Sequence, residues 1–155
     1  NPVILTADLG FAKTARRYGQ ALNLPPAFIE NRRVDNKEHA EALTIIGDVR
    51  NRDVLLIDDE VDTGGSMCQA IELAKLNGAL DVRVVFIHPV LSSNAVERLA
   101  AQAVKEFITT NTRPIAPERR ALFGDRLTVL SIGPLLAEVI KRANEGTSVG
   151  AMFNE

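Results

Sequence analysis

The sequence predicts an α/β fold: a mostly parallel sheet with helices on both faces, in three layers. Three observations predict it. Short apolar runs of strand length alternate with longer segments of helical periodicity, the pattern of parallel strands joined by crossovers. The run Val54-Leu55-Leu56-Ile57 passes through carboxylates and glycines straight into a helix, a strand–loop–helix unit in one stretch. The 155 residues, 46% hydrophobic and 25% charged, suit one domain with a sizeable core.

The elements follow in order. Val3 to Ala7 reads as a strand, so the chain opens almost inside one, as a piece of a longer protein would. Asp8-Leu9-Gly10 turns into a helix from Phe11 to Leu22, and Pro25-Pro26 ends it. Asp8 falls at a strand's C-terminal end, where open α/β sheets bind ligands; Asp is equally a good helix N-cap. Ala27 to Ile29 is a short strand. Glu30 to His39 is polar, mixed in charge and without apolar periodicity, which predicts a surface loop or weak helix. Thr44 to Val49 is a strand, and Arg50 to Asp53 the turn before the central one. A helix covers Met67 to Leu76, with Met67, Ala70, Ile71, Ala74 and Leu76 near one face and Asn77-Gly78 at its end. Val82 to His88 is a strand stopped by Pro89; His88 reads as a polar group finding one partner. A helix from Asn94 to Ala103 leads to a strand from Glu106 to Thr110 and a turn at Asn111 to Pro114. Ala116 to Gly124 is a connection. Leu127 to Ile132 is a strand, Pro134 to Ala143 a helix with Pro in its first turn, and Val149 to Phe153 a last strand-like piece.

The central stretch carries the chemistry. The apolar strand Val54 to Ile57 meets the carboxylates Asp58, Asp59, Glu60 and Asp62, then Thr63-Gly64-Gly65-Ser66 and the helix. Glycines allow positive φ and close approach of a ligand to backbone N–H groups. Those groups and the positive end of the helix dipole suit a phosphate. The carboxylates would repel a bare phosphate, but they suit a ligand that also donates hydroxyls or brings a divalent cation. A sugar phosphate with vicinal hydroxyls meets both conditions. No Gly-Lys-Ser/Thr is present, so this is no Walker-type loop. The plain alternative is a βα turn rich in Asp and Gly, as turns often are.

The composition points away from other classes. A net charge of −2 gives no sign of a nucleic-acid or membrane-surface partner. No apolar run approaches membrane-spanning length and there is no signal peptide. The single Cys68 cannot form an internal disulfide, which suits a reducing cytoplasm, and its place in a helix predicts a small packing residue.

The string from Val54 to Ser66 resembles the phosphoribosyl-diphosphate loop of type I phosphoribosyltransferases and of ribose-phosphate diphosphokinases. Other segments favour the second. Thr6-Ala7-Asp8-Leu9-Gly10 is similar to the diphosphokinase Ser-Pro-Asp-x-Gly turn, Ile46-Gly47-Asp48-Val49 to the segment before the substrate strand, and Thr109-Thr110-Asn111-Thr112 to a later threonine turn. Ser148 to Phe153 resembles the closing residues. The resemblance runs from Val3 to about Phe153 and covers the C-terminal half of a diphosphokinase, with the N-terminal half absent and residues 1–155 forming a single phosphoribosyltransferase-like domain. It implies that Asp58, Asp59, Asp62, Thr63, Gly64, Gly65 and Ser66 hold ribose 5-phosphate. The first two aspartates, Asp58 and Asp59, would take ribose hydroxyls, and Thr63 to Ser66 the 5-phosphate. It implies that Asp8 is a ligand of the cofactor Mg²⁺ and that Arg33 is catalytic, contacting substrate. ATP and phosphoribosyl diphosphate are the other implied ligands, and a homo-oligomer the implied assembly.

One departure concerns chemistry. Asn31-Arg32-Arg33 aligns with a Lys-Arg-Arg triplet, so Asn31 stands where the family has its catalytic Lys, and an amide brings no cation. That leaves a non-catalytic, synthase-associated regulatory subunit as one alternative. A phosphoribosyltransferase is another, although no insertion for a base-binding hood is apparent. A phosphorelay receiver would need a phospho-accepting Asp ending the next apolar strand, and that strand ends in His88-Pro89.

Overall fold

The computed structural model of the chain describes residues 1–7, 11–33 and 41–153. Seven strands form one sheet in the order β3-β2-β1-β4-β5-β6-β7. They are β1 (Pro2–Thr6), β2 (Pro26–Arg33), β3 (Glu41–Ile46), β4 (Asp53–Val61), β5 (Val82–Pro89), β6 (Glu106–Thr110) and β7 (Leu127–Leu130). Every neighbouring pair is parallel except β2 with β3, which is antiparallel. The helices are α1 (Ala12–Leu22), α2 (Gly65–Leu76), α3 (Ala95–Ala100), α4 (Pro117–Ala121) and α5 (Gly133–Glu145).

Burial alternates along β4 and β5 because successive side chains point to opposite faces. Val54 and Leu56 of β4, and Val82, Val84 and Phe86 of β5, pack in one cluster with Met67, Ala70, Ile71 and Ala74 of α2 and Ala95, Val96 and Leu99 of α3. Ile4 and Ile57 turn the other way and meet Ala15 of α1. Helices therefore cover both faces, as the alternating pattern predicts. Phe107 and Phe123, with ring centroids 4.9 Å apart, close the first cluster beneath β6. Each such fully buried aromatic is worth about 1.5–3 kcal/mol of transfer free energy.

Several expectations need correction. The triplet Asn31-Arg32-Arg33 is not in a loop: its backbone continues β2 and pairs with Leu43, Ala42 and Glu41 of β3. A polar run on an edge ribbon lacks an apolar face, so its strand character left no periodic trace. The remainder of the predicted loop, 34–40, lies outside the described residues, as does Asp8. Leu76 is 83% exposed, off the α2 stripe; Met67, Ala70, Ile71 and Ala74 already fill the i, i+3, i+4, i+7 positions. α2 begins at Gly65, ahead of Met67, and α3 stops at Ala100. The 116–124 connection contains α4, and the last strand-like piece is a 3₁₀ turn at Gly150–Phe153. Among the described residues no helix is long and apolar enough to cross a membrane.

Candidate functional site

The direction of the crossovers reverses between β1 and β4: β1 leads through α1 to β2 on one side, while β4 leads to β5, β6 and β7 on the other. Sheets of this kind place ligands outside the strand C-termini at that reversal. The register sharpens it. Thr6, the last residue of β1, pairs with Phe28 and with Ile57. Both neighbours run on past it, β2 to Arg33 and β4 to Val61. At about 3.3 Å per residue, the five residues after Phe28 carry β2 about 16 Å beyond the end of β1. β1 thus ends in a notch between its two longer neighbours.

β4 forms one wall of the site. The acidic residues expected in a turn are still strand here: Asp58 pairs with Phe86, Glu60 with His88 and Val61 with Pro89. β5 is long enough to continue the ladder, so the chain turns only at Asp62, Thr63 and Gly64. Two carboxylates also organise the backbone: Asp58 Oδ1 accepts the Asp59 N–H at 3.0 Å, and Asp59 Oδ1 the Glu60 N–H at 2.9 Å. Gly64 has φ +76°, a conformation that costs an L-residue with a side chain but not glycine. It also lies close over α3: a Cβ there would stand 3.6 Å from both the Ala95 carbonyl oxygen and Leu99 Cγ. The first helical bond of α2 runs from the Cys68 N–H to the Gly64 carbonyl at 3.0 Å, and no side chain caps the helix. The N–H groups before Cys68 therefore have no partner within the helix.

A cleft of about 190 Å³ opens here, lined by Asp58, Glu60, Val61, Asp62, Thr63, Gly64, Gly65, Ser66 and Met67. Six of the seven residues expected to hold substrate meet in it. Asp59 is not in its lining; Glu60, which sequence reasoning left out, is. The alternation of the strand could have signalled this, since Asp58 and Glu60 share a parity. The cleft brings carboxylate acceptors and helix N-terminal donors to one place, which suits a ligand with hydroxyls at one end and an anion at the other.

The connection after β5 also went unread. The Leu91 N–H donates to the Val61 carbonyl at 2.8 Å and the Ser92 N–H to the Asp62 carbonyl at 2.9 Å, so this loop lies against the cradle. At the next strand end, Thr110 Oγ1 donates to the Ile87 carbonyl at 2.7 Å, and Thr112 Oγ1 lies 3.1 Å from His88 Nδ1. His88 thus finds one partner, although it is exposed. Burial pushes the Cys68 thiol up, with Glu72 adding and Arg98 and Gln102 opposing, which fits packing rather than nucleophilic chemistry. Among the described residues no group of three His, Cys, Asp or Glu side chains could hold a metal ion. A Mg²⁺ at this edge would need phosphate oxygens of the ligand beside one or two carboxylates, its usual habit.

This fold and cleft define a phosphoribosyltransferase-like domain. Residues 33–154 match the family described as phosphoribosyl synthetase-associated domain, and the chain belongs to that family. It is similar to the ribose-phosphate pyrophosphokinase of Helicobacter hepaticus, 37% identical over 153 residues, 99% of this chain and 48% of that protein. It is also similar to the crystal structure of phosphoribosylpyrophosphate synthetase from Mycobacterium smegmatis. There the TM-score is 0.84 and the identity 37%, over 94% of this chain and 45% of that one. The orotate phosphoribosyltransferase of Aeropyrum pernix shares the fold, with a TM-score of 0.54 at 18% identity over 88% of this chain and 64% of that one. The chain spans about half the length of the curated relatives it matches.

Proposed function

We propose that the chain is the C-terminal, ribose 5-phosphate-binding half of a ribose-phosphate diphosphokinase. The observation that carries this is the single cleft joining the carboxylates of β4 to the open N-terminus of α2. The N–H groups and hydroxyls of Thr63 to Ser66 donate to the 5-phosphate. Asp58 and Asp62 accept ribose hydroxyls, while Asp59, outside the lining of the cleft, holds the Glu60 N–H. The anomeric hydroxyl so positioned attacks the β-phosphorus of ATP, and AMP leaves. Catalysis then rests on in-line positioning and on neutralising charge. Asp8 would hold a Mg²⁺, whose charge would supply part of that neutralisation. Arg33, on the ribbon beyond the notch, supplies a cation, while Asn31 supplies none. A homo-oligomer suits α5, where Leu135, Leu136 and Ile140 are 47, 50 and 68% exposed.

The test is calorimetric titration of the chain with ribose 5-phosphate. Wild type is expected to bind and Asp62→Ala to lose most of the affinity; unchanged affinity would leave an ordinary turn. The chain alone should form no phosphoribosyl diphosphate from ribose 5-phosphate and ATP. Joined to the other half of a relative, it should turn over slowly, and faster with Asn31→Lys. Asn31 also favours a second reading, a non-catalytic synthase-associated subunit. No turnover in the joined protein, with or without that substitution, would select it.

A further inference from the structure

We propose that Arg119 is a positioning residue for the phosphate cradle, acting through the connection between β5 and α3. The role rests on the ribose 5-phosphate reading above. Arg119 sits on α4, far along the chain from the cradle, and its guanidinium makes no ion pair among the described residues. It donates instead to two backbone carbonyls, Leu91 at 2.6 Å and Ser93 at 3.4 Å. Both of those residues have φ +49°, the left-handed region that side chains disfavour, and Leu91 is a buried leucine. A conformation of this cost persists only where surrounding contacts determine it. Here one guanidinium nitrogen, Nη2, holds the carbonyls on either side of Ser92, and a Lys would bring its ammonium one bond short of that position.

Two residues of the same loop support the cradle. Leu91 and Ser92 donate their N–H groups to the Val61 and Asp62 carbonyls, and Ser92 accepts the Ala95 N–H at 3.0 Å. Ala95 in turn lies beneath Gly64. Arg119 therefore grips the back of a strained loop whose front fixes the backbone of Asp62 and Gly64. A ligand bound by backbone N–H groups depends on their placement, and a shift of about 1 Å can cost on the order of 10²-fold in such geometry.

The experiment is titration of the chain with ribose 5-phosphate for wild type, Arg119→Ala and Arg119→Lys at low and high salt. Amide hydrogen exchange at Leu91 and Ser92 is followed in the same samples. Arg119→Ala should weaken binding about tenfold and speed exchange at those two amides, with Val84 and Phe86 of β5 unchanged. The ratio to wild type should not shrink at high salt, because the lost bonds are to carbonyls; an effect of bare charge would be screened. Arg119→Lys should recover only part of the affinity. Unchanged affinity, full recovery by Lys, or exchange accelerated equally throughout β5 would overturn the role. Should wild type not bind ribose 5-phosphate, that reading falls by itself. Exchange at Leu91 and Ser92 then decides whether Arg119 orders the loop, and no change there overturns the proposal too.

Discussion

Where β4, β5 and β6 begin, charges come in pairs. Lys105 Nζ lies 2.6 Å from Asp81 Oδ2, and Arg83 3.9 Å from Glu106 on the adjoining strand. Arg52 lies 3.9 Å from Asp48, one helical-turn spacing earlier in the chain. Where β4 ends, at the opposite edge, Asp58, Asp59, Glu60 and Asp62 crowd into five positions, and no ion pair among the described residues falls at Asp59, Glu60 or Asp62. Positive φ occurs at both edges, at Asn51 and Gly78 on the first and at Gly64, Leu91 and Ser93 on the second. What differs is charge: one edge is finished with ion pairs, and the other keeps like charge together at a cost in stability.

The largest test of that contrast is Gly64→Val. A β-branched residue cannot sit easily at φ +76°, even though a Cβ there would make only ordinary contacts with Ala95 and Leu99. Affinity for ribose 5-phosphate should fall on the order of 10²-fold or more by calorimetry, in a chain whose circular dichroism is unchanged. A smaller effect of opposite sign is expected from Asp59→Asn. The amide keeps the bond to the Glu60 N–H and removes one of the crowded charges. Urea unfolding of the free protein should show a gain of up to about 0.5 kcal/mol, the scale of surface substitutions. If the variant is less stable, the acidic edge is not held at a cost. The smallest effect belongs to Asp81→Asn at the paired edge. The hydrogen bond from Lys105 holds the Asp81 carboxyl below its ordinary value, with the nearby charges of Lys105, Arg83 and Lys75 adding. A depressed carboxylate contributes stability above its unfolded value, near pH 4, and loses it as pH falls through the folded one. The variant should therefore show a slightly lower urea midpoint at neutral pH and converge on wild type in acid. The pair is exposed, so the shift is small, and ribose 5-phosphate affinity should not change.

The sequence made the cradle legible because its residues are consecutive. A strand, four carboxylates, two glycines and a helix need no tertiary information to be placed together. The parallel sheet was legible for the same reason, through Val54 to Leu56 and Val82 to Phe86, whose composition and length state their burial. Contributions from elsewhere in the chain were not legible. Leu91 carries no mark of a left-handed leucine, and Arg119, in a segment read as mere connection, reaches Leu91 only across the fold. The β2–β3 ribbon was misread as loop because Asn31 to Arg33 lacks the alternation that burial on one face would impose. Edge strands answer to pairing with a neighbour, and that pairing leaves no mark in the composition of Asn31 to Arg33.

The sheet's outer borders have a consequence for aggregation. An open strand edge is a template onto which another chain can add. One border is β3, only six residues long and set antiparallel to its neighbour; the other is β7, with four. A second molecule would find few backbone groups in line at either side before the pairing ran out. The long apolar strands β4 and β5, which in isolation would stack readily, are enclosed by these short outer ones. Loss of β7 would uncover β6, with Phe107 and Ile108 in its centre, and turn a bordered sheet into one that grows.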